Sequence, residues 1–84
     1  MTLSPKEIKV LTLVALGYSD KQIAKKLKIK YGTVRTYIDR IVLKVNARNR
    51  THAAIIYKLV NEKWLEEFYE KDNNTLDGRR IFSD

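Results

Sequence analysis

The sequence predicts an all-α fold of four helices, the last of them extended toward the C-terminus. Three observations carry that reading. Ser4 with Glu7 and Ser19 with Gln22 are capping boxes, in which each side chain satisfies an orphan amide at a helix start. Apolar side chains recur at three- and four-residue intervals, most plainly at Val34, Ile38, Ile41 and Val45. Gly17 stands where the first helix should end, and Asn49 where the last should begin.

The first helix takes Ser4 as N-cap, Pro5 at its first position and Glu7 at its third, and runs to about Leu16. Ile8, Leu11 and Ala15 form one row with Val10 and Val14 beside it, a scaffold face with no chemistry required of it. The second runs from Ser19 to about Leu27. Ile23, Ala24 and Leu27 share its inner side, Lys21, Lys25 and Lys26 project elsewhere, and Ile29 anchors the following turn. The third begins near Tyr31 to Thr33 and continues to about Val45. Behind it runs the Val34, Ile38, Ile41, Val45 stripe. Gly32, Arg35, Thr36 and Asp39 fall on the opposite side, with Arg40 at the flank and Leu43 at the far end.

A helix with an apolar back and a cation-bearing front suits the major groove of DNA, which admits one helix. The alternative for Arg35 and Arg40 is an ordinary solvated face. Charge favours the groove. The chain of 84 residues carries a net +7, but residues 1–50 hold 12 Lys and Arg against 3 Asp and Glu, whereas residues 51–84 hold 5 against 7. The excess of +9 therefore coincides with the two-helix unit, the footprint of a polyanion partner. Simple solubility would also account for a charge of this size.

On the fourth helix Ala53, Ile56, Tyr57, Val60 and Trp64 trace one stripe that Phe68 prolongs. Four large groups, Trp64, Leu65, Phe68 and Tyr69, lie past what a core of this size needs, and an exposed patch of that kind calls for a cover. A second subunit, with Ile56, Val60, Trp64 and Phe68 at the interface, is one such cover. Folding back onto the first helix is the alternative. His52, in the first turn, reads as an exposed polar residue without a metal or catalytic role. Residues 1–71 thus form the domain and 72–84 a flexible tail, although Leu76, Ile81 and Phe82 could dock.

Composition bounds the rest. One small domain is all this length permits, and a single core of that size is marginal. No cysteine is present, so there is no disulfide, thiolate metal site or cysteine nucleophile; a single histidine leaves structural zinc without ligands. No apolar run approaches the roughly 18 residues of a membrane span, and Lys6, Glu7 and Lys9 interrupt any secretory pattern. No cofactor is expected, and a cytoplasmic location is.

The spaced segments LSPKEIKVL, GYSDKQIAKKLKI, TVRTYIDRIVLKV and NARNRTHAA together resemble the LuxR/GerE-type helix-turn-helix over about residues 3–59, with the layout of its short stand-alone members. The resemblance implies a sequence-specific transcription regulator that binds double-stranded DNA as a homodimer through its final helix. RNA polymerase or another regulator is a possible further partner. Such members are usually switched by an N-terminal domain, and here only three residues precede the first helix. Regulation is then expected from abundance, dimerisation, a partner or the tail.

Arg35, Thr36 and Asp39 are the expected base contacts. Arg35 matches guanine as a bidentate donor, Thr36 a thymine methyl or a polar edge, and Asp39 either cytosine N4 or Arg35 itself at i, i+4. Lys21, Lys25, Lys30, Arg40, Lys44, Arg48 and Arg50 are expected on phosphates, giving affinity and salt dependence without sequence reading. Thr33 matches a family threonine whose hydroxyl meets a phosphate; helix-end capping is its alternative role. Tyr37, where the family usually has histidine, covers the core and offers its hydroxyl to a phosphate. The chain departs from the pattern at Lys30 (usually serine), Arg40 (asparagine), Asn46 (glycine) and Leu43 (a basic residue). Asparagine is the next most tolerant of a left-handed backbone.

Three rival readings stand beside this one. A sigma-factor region would end near the recognition helix, so NARNRTHAA argues against it. A protein-interaction module blocking another regulator would use the last helix, with the Trp64–Tyr69 patch as its support and the +9 half against it. An enzyme lacks any grouping of nucleophile, base and oxyanion donors, or a glycine-rich phosphate loop.

Overall fold

The computed structural model describes residues 2–66, and all regular secondary structure within them is helical. Four helices follow in order: α1 Pro5–Ala15, α2 Asp20–Leu27, α3 Tyr31–Lys44 and α4 Arg50–Val60. None among the described residues is long and apolar enough to cross a membrane.

Local chemistry sets most of the boundaries. At α1 the Glu7 amide donates to Ser4 Oγ (3.1 Å) and the Ser4 amide donates to Glu7 Oε1 (2.8 Å). Ser19 and Gln22 repeat the exchange at α2, at 3.2 and 2.8 Å. Gly17, at φ 93°, ends α1: its amide reaches the Val14 carbonyl while Tyr18 reaches Leu13, the paired bonds of a Schellman motif. Asn46 (φ 57°) ends α3 identically, with its amide on Leu43 and that of Ala47 on Val42. Asparagine thus fills the left-handed position where glycine is usual. Lys28 does the same after α2 (φ 58°), a left-handed residue that nothing in the sequence pattern disclosed.

The core gathers Val10, Leu11, Ile23, Val34, Ile38, Ile41, Val45 and Ala53, all essentially closed to solvent. The α3 stripe is buried as its spacing predicts. On α1 the inward face is rotated from expectation: Glu7, Val10, Leu11, Thr12 and Leu13 are buried, and Ile8 and Ala15 are only half-buried. Helix α3 packs against each of the other three, and α1 also contacts α2 and α4.

The last helix is interrupted within the described residues, with helical structure resuming at 64–66 after a break at 61–63. Helix α4 stops at Val60, where both the amide and Nδ2 of Asn61 donate to the Tyr57 carbonyl, at 2.9 and 3.1 Å. After a turn, Trp64 lies in the core at 9% exposure, its ring edge-on to Tyr57 (4.9 Å, 87°). Its Nε1 donates to Thr12 Oγ1 on α1 at 3.0 Å, and that hydroxyl donates onward to the Ile8 carbonyl at 2.7 Å. Burying an indole is worth on the order of 4 kcal/mol, whereas two more turns of solvated helix add almost nothing. Trp64, expected at a dimer interface, therefore belongs to the chain's own core. The expectations for Phe68 and for the 72–84 tail lie outside the described residues.

Candidate nucleic-acid interface

The surface formed by α2, its turn and the front of α3 carries the candidate contacts. With Val34, Ile38 and Ile41 buried behind, α3 holds Gly32, Arg35, Thr36, Asp39 and Arg40 exposed in front. Leu43 extends that face at 80% exposure. Lys21 and Lys25 stand exposed on α2, and Lys30 is exposed as the N-cap of α3. No side chain caps α3, so the capping role open to Thr33 is not used; the Thr33 amide donates to the Lys30 carbonyl at 3.0 Å. A helix start without a side-chain cap is suited to a phosphate oxygen.

The charged side chains are organised around a residue that sequence reading passed over. Asp20, the first residue of α2, is closed to solvent but for 11% of its side chain. The Arg50 guanidinium, at the start of α4, grips both its oxygens: Nη1 on Oδ1, and Nη2 on Oδ2 at 3.1 Å. From α3, Arg35 Nε approaches Oδ2 at 3.7 Å, and Arg35 Nη1 reaches the Tyr31 hydroxyl at 3.5 Å. The Arg50 hydrogen bond, with the charges of Arg50 and Arg35, holds the Asp20 carboxyl below its usual range against the opposing pull of burial. Arg50 is raised in turn, chiefly by its bond to Asp20. The i, i+4 pairing of Arg35 with Asp39 does not form. Asp20 is the better partner because Arg50 already orients it in a drier site, and Asp39 stays exposed.

Three further side chains have partners within the chain. Lys44, expected on a phosphate, is joined at 2.9 Å to Oε1 of the buried Glu7, with 44% of its side chain left exposed. Arg50 is held by Asp20, with 35% of its side chain left exposed. His52 is half-buried and closes the turn before α4: its Nδ1 accepts from the Arg48 amide (3.0 Å) while Asn49 Oδ1 accepts from the His52 amide (2.8 Å). Arg48 itself is exposed. Thr36 bonds the Gly32 carbonyl at 3.0 Å, and Arg40 lies 6.0 Å from the Tyr37 ring centroid, a cation–π pair at the edge of the same surface. Asp20 and Glu7 were legible in the sequence only as helix-start acids, because their partners come from other helices.

Comparison with known proteins matches residues 1–57 to GerE, described as bacterial regulatory proteins of the luxR family. The chain belongs to the luxR family. This is a family of regulators rather than enzymes, and the matched span contains the whole α2–turn–α3 unit. Among curated proteins, the luxR-family chain is 48% identical over 54 residues to the uncharacterized transcriptional regulatory protein YvfU of Bacillus subtilis, covering 64% of this chain and 27% of that protein. It is 49% identical over 51 residues to the transcriptional regulatory protein DesR of the same organism (61% and 26% covered). With the response regulator protein VraR of Staphylococcus aureus it shares 38% identity over 53 residues (63% and 25%). The chain spans about a quarter of the length of these relatives.

Proposed function

We infer that this chain is a sequence-specific DNA-binding transcription regulator, with α3 as the recognition helix in the major groove. The observation that carries the reading is the division of α3, its apolar back sealed in the core and its polar front open beside Lys21, Lys25 and Lys30. Arg35 and Thr36, with Asp39 one turn on, meet base edges. Lys21, Lys25, Lys30, Thr33, Tyr37, Arg40 and Arg48 meet phosphates. The similarity to YvfU and DesR, both transcriptional regulatory proteins, supports the same role.

The chain acts as a homodimer reading two half-sites near one helical turn of DNA apart. With Trp64 internal, the apolar side chains left for a partner on α4 are Ile55 (53% exposed), Leu59 (73%) and Val60 (64%). Ile56, half-buried, borders them. The same three side chains favour the second reading, docking on another regulator, although Trp64, one member of the Trp64–Tyr69 patch that supported it, is buried in the chain's own core.

The test is selection of bound duplexes from a random pool at two salt concentrations, with the mass of the free protein measured by sedimentation. A motif of two related half-sites and a dimeric mass are expected. Motif-free binding that vanishes at the higher salt would leave only the electrostatic term and overturn the operator-reading role.

A further inference from the structure

We propose that Asp20 is a positioning residue for base recognition, holding Arg35 by its inner edge and fixing that edge to α4 through Arg50. The inference rests on the reading of α3 as the recognition helix. Its basis is the convergence of three helices on one carboxylate: Asp20 opens α2, Arg50 opens α4 and grips both oxygens, and Arg35 approaches from α3 at 3.7 Å. Half of the Arg35 side chain remains exposed (52%), so the tether restrains it without withdrawing it from a ligand.

An arginine free on a helix surface loses rotamer freedom when it meets a base, and one already restrained loses less. Restraint also fixes which base its planar fork can reach, which is what discrimination requires. An acid here works against raw affinity, since it neutralises cations that would otherwise attract phosphates. The contribution of Asp20 is therefore to selectivity, and it should be separable from affinity by sign.

Asp20→Asn keeps the size of the side chain and removes its charge. In duplex selection with the 84-residue chain, the variant should bind unselected DNA more tightly and with a steeper salt dependence. Its preference at the base pair read by Arg35 should fall roughly tenfold, the low end of what one bidentate base contact supplies. Preferences at other positions should hold, and in an Arg35→Ala background Asp20→Asn should cause no further loss at that base. An unchanged motif in Asp20→Asn overturns the proposal. So does a uniform loss at every position together with a lowered melting temperature, which would mark a purely structural role. A wild-type chain that selects no motif removes the recognition-helix reading itself, a different failure.

A second measurement needs no variant. In the free wild-type protein the Arg35 Nε–H resonance should be sharp and slow to exchange, unlike that of Arg40. Equal averaging of the two would overturn the tether.

Discussion

Trp64 Nε1 donates to Thr12 Oγ1 at 3.0 Å, joining residues 52 apart in sequence and closing the last turn of the described chain over α1. The Thr12 hydroxyl is buried and has both roles filled, accepting from the indole and donating to Ile8. Removing either partner should expose that dependence. Trp64→Ala is expected to cost about 3–5 kcal/mol, the range for deleting a large buried aromatic. Thr12→Val, which leaves the indole N–H buried without an acceptor, should cost about 1–3 kcal/mol. Urea unfolding followed by far-ultraviolet circular dichroism measures both, and a loss below about 0.5 kcal/mol for Trp64→Ala would place the indole outside the core in solution.

Acid should weaken the fold through Glu7 and Asp20. Burial raises the Glu7 carboxyl, but the Ser4 amide and the Lys44 ammonium together outweigh it and hold the group below its ordinary value of 4.5. Asp20 lies below its ordinary 3.8, first through its bond to Arg50. For a carboxyl lowered by folding, the stabilisation is complete above the unfolded value and is lost as pH falls through the folded one. Urea midpoints should therefore be flat from neutrality to about pH 5 and decline below it. Glu7→Gln should lower the neutral-pH midpoint and make the acid decline shallower; an unaltered decline in both Glu7→Gln and Asp20→Asn would assign it to other groups.

Lys28 is a left-handed residue without local compensation in its side chain, at φ 58° and ψ 46°. Glycine adopts that conformation freely, whereas an L side chain carries a penalty of roughly 1–2 kcal/mol. Lys28→Gly should stabilise the protein by about 0.5–1 kcal/mol, part of the gain being offset by the greater freedom of glycine when unfolded. A melting temperature that falls on this substitution would contradict the backbone assignment.

Two lysines of equal charge should behave differently on DNA. Lys25 is exposed on α2, whereas Lys44 Nζ is engaged with Glu7. Lys25→Ala should reduce the slope of log affinity against log salt by about one while leaving stability unchanged within about 0.5 kcal/mol. Lys44→Ala should leave the slope nearly intact and lower the unfolding midpoint. Fluorescence anisotropy with a labelled duplex at several salt concentrations separates them, and equal slope changes would return Lys44 to the phosphate contacts.

Much of this architecture is determined within windows of three or four residues, and those parts were legible in the sequence. Ser4 with Glu7, Ser19 with Gln22 and Asn49 mark helix starts because their hydrogen bonds are made within the first turn. The Val34 to Val45 stripe marked the inner side of α3, and so its outer side, because helical spacing alone aligns those positions. The luxR-family segments follow the same local logic.

Tertiary structure decided where the charges went and where the last helix ended. A sequence shows that Asp20 and Glu7 begin helices, but whether Arg50, Arg35 or Lys44 reaches them depends on how helices pack. Periodicity carried α4 on through Trp64 because an apolar stripe looks the same whether it faces a second chain or turns back on its own. The turn at Asn61 was settled by a buried hydroxyl on α1 within reach of the indole. That choice depends on a contact between distant residues, which no local pattern encodes.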